Sequence, residues 1–235
     1  MAGAAYAAIG SYVWHQPAAV LATGTAVAMG AGVLPDLDSV GSCVARSFGW
    51  ITEGLAYAVR AVSGGHREGT HTGCGDVLCA LLATLAIALE GHHFWVHVWH
   101  VRRELSVGRV ILAAYLAILF SAAMMALRHP RKAHRRELLA LAAAVAMAWT
   151  GWDSGGIAWA IFIGTAVHCA GDGLTKHGVP WLKPLSNHVL HLLPERFRIS
   201  TGHFTERWLI APAMMLALGL LAWHAAAVSL PSVRL

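Results

Sequence analysis

Val110-Ile111-Leu112-Ala113-Ala114-Tyr115-Leu116-Ala117-Ile118-Leu119-Phe120-Ser121-Ala122-Ala123-Met124-Met125-Ala126-Leu127 carries no charged side chain. A helix of about 20 such residues is long enough to cross the apolar part of a bilayer. The stretch therefore predicts a membrane span. The whole chain agrees with it. Of 235 residues, 57% are hydrophobic and 12% charged, and the mean hydropathy is +0.57. A soluble domain usually carries about 25% charged residues. A very Ala-rich soluble helical protein is the competing class, and runs approaching the spanning length decide against it.

Downstream of this span, residues 128–137 predict a basic loop with Arg128, Arg131, Lys132, Arg135 and Arg136. Residues 138–152 and 157–170 predict two further apolar helices around the turn Asp153-Ser154-Gly155-Gly156. Residues 171–207 form a long polar segment with Pro180, Pro184 and Pro194, and 209–228 predict a last span.

Upstream, residues 90–107 predict an aromatic-rich interfacial loop, with His92, His93, His97 and His100 among Trp95 and Trp99. Residues 74–89 predict a strong helix with Asp76 near its start, where an acid suits the dipole. Residues 2–14 and 18–34 predict a tight hairpin, broken at His15-Gln16-Pro17 because proline cannot continue a helix. Small residues such as Gly24, Gly30 and Gly32 permit close helix packing there. Between the hairpin and residue 64, Phe48, Trp50, Ile51, Leu55, Ala58, Val59 and Val62 recur at helical spacing, which predicts an amphipathic helix lying on the membrane. Met1-Ala2-Gly3-Ala4 has no basic region, so a removable signal peptide is not expected.

These readings add up to an all-α, polytopic membrane helical bundle of about six hydrophobic helices, with polar cytoplasmic loops and one domain over residues 1–235. Alternating the spans gathers 35–73, 128–137 and 171–207 on one face with most of the Arg and Lys. By the positive-inside rule that face is cytoplasmic, and the expected location is the inner or plasma membrane. The basic residues read as topology signals, so no nucleic-acid partner is expected. The partners implied are the lipid bilayer and a small-molecule or lipid substrate. Cys43, Cys74, Cys79 and Cys169 form no Cys-x-x-Cys pair, which argues against a thiolate zinc site.

Chemistry-bearing residues interrupt this apolar chain at three places. Asp36 and Asp38 follow Pro35 at a helix end; in an extended segment two such carboxylates point the same way and can reach one cation, or one can orient a histidine ligand. Gly64-Gly65-His66-Arg67-Glu68-Gly69-Thr70-His71 puts two imidazoles in one short loop. Histidine is the commonest metal-binding side chain. Arg67 suits an anionic group, Glu68 can activate water, and Thr70 and Thr72 can cap the next helix. His168 and Asp172 are four apart at a helix end, hence on one face. Three His and two to three Asp converge on one expected face. Such a mixed N/O set suits a divalent cation, zinc or manganese first and iron as a third, as one ion or two. Hydrolysis is the reaction class it supports.

Leu34-Pro35-Asp36-Leu37-Asp38, Gly65-His66-Arg67-Glu68-Gly69-Thr70-His71-Thr72, His168-Cys169-Ala170-Gly171-Asp172-Gly173-Leu174-Thr175 with Gly178, and the weaker Gly202-His203-Phe204-Thr205-Glu206 resemble, in order and approximate spacing, the YdjM-like family of membrane-bound metal-dependent hydrolases, some of them LexA-regulated. The resemblance implies a metal-dependent hydrolase in the membrane. By matching position it implies metal-site roles for Asp36, Asp38, His66, His71, His168 and Asp172. It adds Glu206 as a further ligand or base, beside Arg67 and Glu68 as catalytic candidates. The family pattern also carries a His in a Ser/Thr-His-x-x-x-Gly stretch before the first apolar helix, with no counterpart here; Thr72 replaces its Ser after the second His. A non-catalytic membrane protein with a structural or sensory metal site is the alternative.

Overall fold

The computed structural model describes residues 1–98, 101–126, 133–149 and 154–200, with Leu216, Gly219, Leu220 and Trp223 beyond them. The chain is mostly helical. Its helices are α1 (Ala2–Tyr12), α2 (Ala18–Ala31), α3 (Trp50–Ser63), α4 (Gly73–Ala88), α5 (Val107–Ala126), α6 (Ala133–Trp149) and α7 (Ser154–Gly173). Among the described residues, Val20–Asp38, Gly73–Gly91 and Val107–Met125 are long and apolar enough to cross a membrane. The expected span over 209–228 lies outside the described residues.

Helix α2 is the centre, with α1, α5 and α7 packed on it. Glycine sets two of these contacts. A Cβ on Gly30 would sit 2.7 Å from the Leu119 carbonyl oxygen on α5, and one on Gly164 of α7 would sit 2.6 Å from that of Ala28. Small residues at both contacts let the backbones approach, with Val27, Ala28, Ala31, Leu116, Leu119, Ile157 and Ile161 filling the buried core between them.

Pro35 opens a one-turn 3-10 helix over Pro35–Asp38. The extended geometry expected there is absent, because proline's fixed φ suits a first helical turn. Asp36 and Asp38 consequently point different ways. Helix α3 begins only at Trp50 after a series of turns. It buries Thr52 and Ala56 and exposes Trp50, Ile51, Leu55, Tyr57 and Val62, which fits the amphipathic pattern. Gly64, at φ 86°, stops it in a left-handed cap.

Two expectations change. The region read as an interfacial loop contains an antiparallel hairpin, β1 (His93–Val98) with β2 (Val101–Ser106), in which Trp95 faces Glu104 and Val98 faces Val101. The Arg102 guanidinium lies 4.0 Å from the Trp95 ring centre and braces the hairpin diagonally. Of the expected basic loop, residues 128–132 lie outside the described residues, while Arg135 and Arg136 belong to α6. Arg136 is buried: its Nε donates to Ser121 Oγ at 3.2 Å and its Nη2 to the Ser47 carbonyl at 3.5 Å. It ties α6 to α5 and to the turns before α3.

Candidate metal centre

Three pieces of chain meet at the ends of α2 and α7. The turn after α2 supplies Asp36 and Asp38, the loop from α3 to α4 supplies His66 to His71, and the last turns of α7 supply His168 and Asp172. The loop is bent sharply enough to need positive φ at Gly64, Gly65 and Arg67. Arg67, at φ 63°, holds a conformation that side chains other than glycine rarely adopt. Two contacts keep it there: its backbone N–H donates to Asp38 Oδ2 at 2.9 Å, and its Nη2 to Asp172 Oδ1 at 3.3 Å.

Asp36, His71 and His168 offer Oδ1, Nε2 and Nε2 within 4.8 Å of one another. Both imidazole nitrogens are 3.7 Å from Asp36 Oδ1. Asp172 Oδ2 lies 3.6 Å from His71 Nε2. These separations exceed an ordinary hydrogen bond of 2.7–3.2 Å. Two ligands each about 2.1 Å from one tetrahedral ion stand about 3.4 Å apart, close to what is seen. The buried atoms His71 Nε2, His168 Nε2 and Asp172 Oδ2 have no hydrogen-bond partner. A buried polar atom without a partner costs about 1–3 kcal/mol, so three at one point is the pattern expected where a cation belongs.

The opposite edges of both rings explain which nitrogen is free. His168 Nδ1 donates to the Gly32 carbonyl at 2.8 Å. A carbonyl only accepts, so Nδ1 carries the proton and Nε2 a lone pair. His71 Nδ1 faces Thr70 Oγ1 at 3.0 Å. His71 itself is fully buried. Burial pushes its pKa down, but the carboxylates of Asp36, Asp38 and Asp172 outweigh that and raise it to about 9 in the metal-free protein.

The other expected site residues fall around this centre. Asp38 is fully buried and its oxygens are engaged by His66 Nδ1 at 2.7 Å, by the Arg67 N–H and by the Thr70 hydroxyl. The structure thus places Asp38 and His66 beside the donor cluster, with Asp38 holding the rings. Glu68 pairs with Lys183, and its carboxylate is turned to that loop. Glu206 lies outside the described residues. Thr72 caps α4 by accepting from Gly75 N at 2.9 Å; Thr70 does not.

Asp76 carries a role that sequence reasoning gave only to the helix dipole. It is fully buried, and it accepts from Trp181 Nε1 at 3.0 Å and from Cys169 Sγ at 3.6 Å. Gly73 N also donates to the Trp181 carbonyl at 2.9 Å. These bonds clip the segment after α7 onto the start of α4, just beyond His71. An acid inside an apolar helix was the available signal, because such a group needs a partner.

The donor set is two imidazoles and two carboxylates. It fits zinc, manganese or iron and selects none of them. Neither the curated proteins nor the solved structures contain a match to the chain. A family model does match, over residues 1–124, and that region contains Asp36, Asp38 and the whole His66–His71 loop, while His168 and Asp172 come from beyond it. The match covers more than half of the chain, which therefore belongs to the family of the YdjM inner membrane protein.

Proposed function

We propose that the protein is a membrane-bound metal-dependent hydrolase whose site is Asp36, His71, His168 and Asp172. The observation that carries the proposal is the convergence of three partnerless buried donor atoms beside the Asp36 carboxylate. A divalent cation held there would acidify a water and draw charge from a carbonyl or phosphoryl oxygen.

The chain's own residues divide the remaining work. The Nδ1–H of His66 is held by Asp38, which leaves Nε2 free to take a proton. The His66 ring is half-exposed and stands 5.5 Å from the His71 ring at 89°, so it flanks the donors on the open side. Arg67 is partly exposed and offers its remaining N–H groups to an anionic oxygen. Glu68, occupied by Lys183, is a poorer base than His66.

A phosphorylated or otherwise anionic amphiphile is the substrate class we favour. The amphipathic α3, with Trp50, Ile51, Leu55 and Val62 exposed, leads directly into the site loop and suits an interfacial position. The positive-inside rule favours the cytoplasmic side for that loop, with Arg46, Arg60 and Arg67 near it in sequence and Lys183 paired with its Glu68. The second reading is a structural or sensory metal site.

Purified wild type, His66→Gln and His71→Ala, assayed for metal content and for turnover of phosphoester and lipid substrates, separate the two readings. The enzyme reading expects metal in wild type and His66→Gln, and turnover in wild type alone. Metal retained with no turnover by wild type on a broad panel supports the structural or sensory site.

A further inference from the structure

We propose that Thr70 is a positioning residue: its hydroxyl, anchored on buried Asp38, fixes the ring of His71 so that Nε2 faces the donor cluster. This rests on the metal-centre reading above and adds a residue with no direct place in it. Asp38 has no exposed surface, and its Oδ2 accepts both the Arg67 N–H and the Thr70 hydroxyl. An ionised carboxylate only accepts, so the hydroxyl hydrogen must go to Asp38. The lone pair left on Oγ1 faces His71 Nδ1 at 3.0 Å. The ring proton therefore sits on Nδ1, and Nε2 keeps the lone pair a cation requires. Asp38 does not do this directly, because its Oδ2 is 3.6 Å from His71 Nδ1, beyond hydrogen-bond range.

The same buried carboxylate holds His66 through its other oxygen, Oδ1, at 2.7 Å. The two rings stand at 89° to each other. Asp38 thus orients two imidazoles for two directions, and only the route to His71 passes through a hydroxyl. Valine matches threonine in shape and removes that hydroxyl alone. Serine keeps it.

The test compares wild type, Thr70→Ser, Thr70→Val and His71→Ala, with Thr70→Ala as a second hydroxyl-free variant should the valine form fold poorly. Zinc and manganese are titrated against a competing chelator. Loss of an orienting partner typically weakens metal binding by about 10–100-fold, and this is expected for Thr70→Val. Thr70→Ser is expected within about threefold of wild type, since the orienting partner remains. A second readout needs no metal. Nitrogen-15 resonances of labelled histidine at alkaline pH, where the ring is neutral, report which nitrogen holds the proton; loss in His71→Ala assigns His71. Wild type and Thr70→Ser are expected to show protonated Nδ1, and Thr70→Val a mixture. An unchanged tautomer in Thr70→Val, or metal affinity equal to wild type, overturns the proposal. Equal metal in wild type and His71→Ala would instead remove the metal centre, and the nitrogen spectra would still decide the relay.

Discussion

His168 Nδ1 donates to the backbone carbonyl of Gly32 at 2.8 Å, joining residues 136 positions apart. That bond exists because α7 lies against α2, and α7 lies there because residue 164 has no Cβ. A methyl at Gly164 would meet the Ala28 carbonyl at 2.6 Å and the Ala31 Cβ at 2.6 Å. Gly164→Ala should cost about 1–3 kcal/mol by overpacking and should weaken metal binding by moving His168. Gly54→Ala is the control: nothing lies within 4 Å of its added methyl, and the change should be neutral or stabilise α3 by about 0.5–1 kcal/mol. Thermal unfolding and metal titration of both variants check this.

His71 gives a pH dependence with a definite sign. Its folded pKa is raised to about 9 from an ordinary 6.5. A group so raised stabilises the folded state fully below 6.5, and that contribution is lost as pH rises through about 9. The metal-free protein should therefore lose stability across this window, and His71→Gln should lack that slope. A metal ligand must be neutral, so the cation displaces the proton. Apparent metal affinity should climb with pH and level off above about 9. Metal titrations at several pH values, with thermal melts of the chelated protein, test both. A pH-independent affinity between 6.5 and 9 contradicts the assignment.

The two aspartates of the Pro35–Asp38 turn should separate on mutation. Asp36 is 38% exposed and faces the donors, whereas Asp38 is 0% exposed and fully hydrogen-bonded. Asp36→Asn should lose metal and, above about pH 9 where His71 is neutral, keep its melting temperature in the metal-free state. Asp38→Asn replaces one acceptor oxygen with an NH2 donor facing partners that all donate, and should destabilise the fold by about 1–3 kcal/mol. Equal loss of stability in both variants would contradict the division.

Arg136 should behave as a structural residue although its neighbours in sequence look like a topology signal. Its buried guanidinium reaches Ser121 and the Ser47 carbonyl. Arg136→Met should cost about 1.5–3 kcal/mol, the range for hydrogen bonds to a charged group. Arg135→Met, at an exposed position of the same helix, should change little. Chemical denaturation in detergent compares them.

What was legible in the sequence followed from strong local signals. Long apolar runs located α2, α4 and α5, and proline with glycine located the breaks beside the site. The four-residue spacing of His168 and Asp172 placed both on one face of α7. Roles within the site were less legible. Asp36 and Asp38 look equivalent in sequence, and only the 3-10 turn after Pro35 sends one to the donors and the other inward. Thr70 and Thr72 look like interchangeable caps until Thr72 takes that role. The paired strands β1 and β2 carried their signal in alternating Phe94, Val96 and Val98, but the sequence between them has no glycine or asparagine of the kind that usually marks a hairpin.

The proposed function stands on Asp36, His71, His168 and Asp172 holding one divalent cation. Its most direct test is the metal content of the purified protein, wild type against His168→Ala, measured after equilibration with zinc or manganese. About one ion per chain is expected in wild type and almost none in His168→Ala, because a three-donor remnant with one imidazole binds weakly. Equal metal in the two proteins would contradict it.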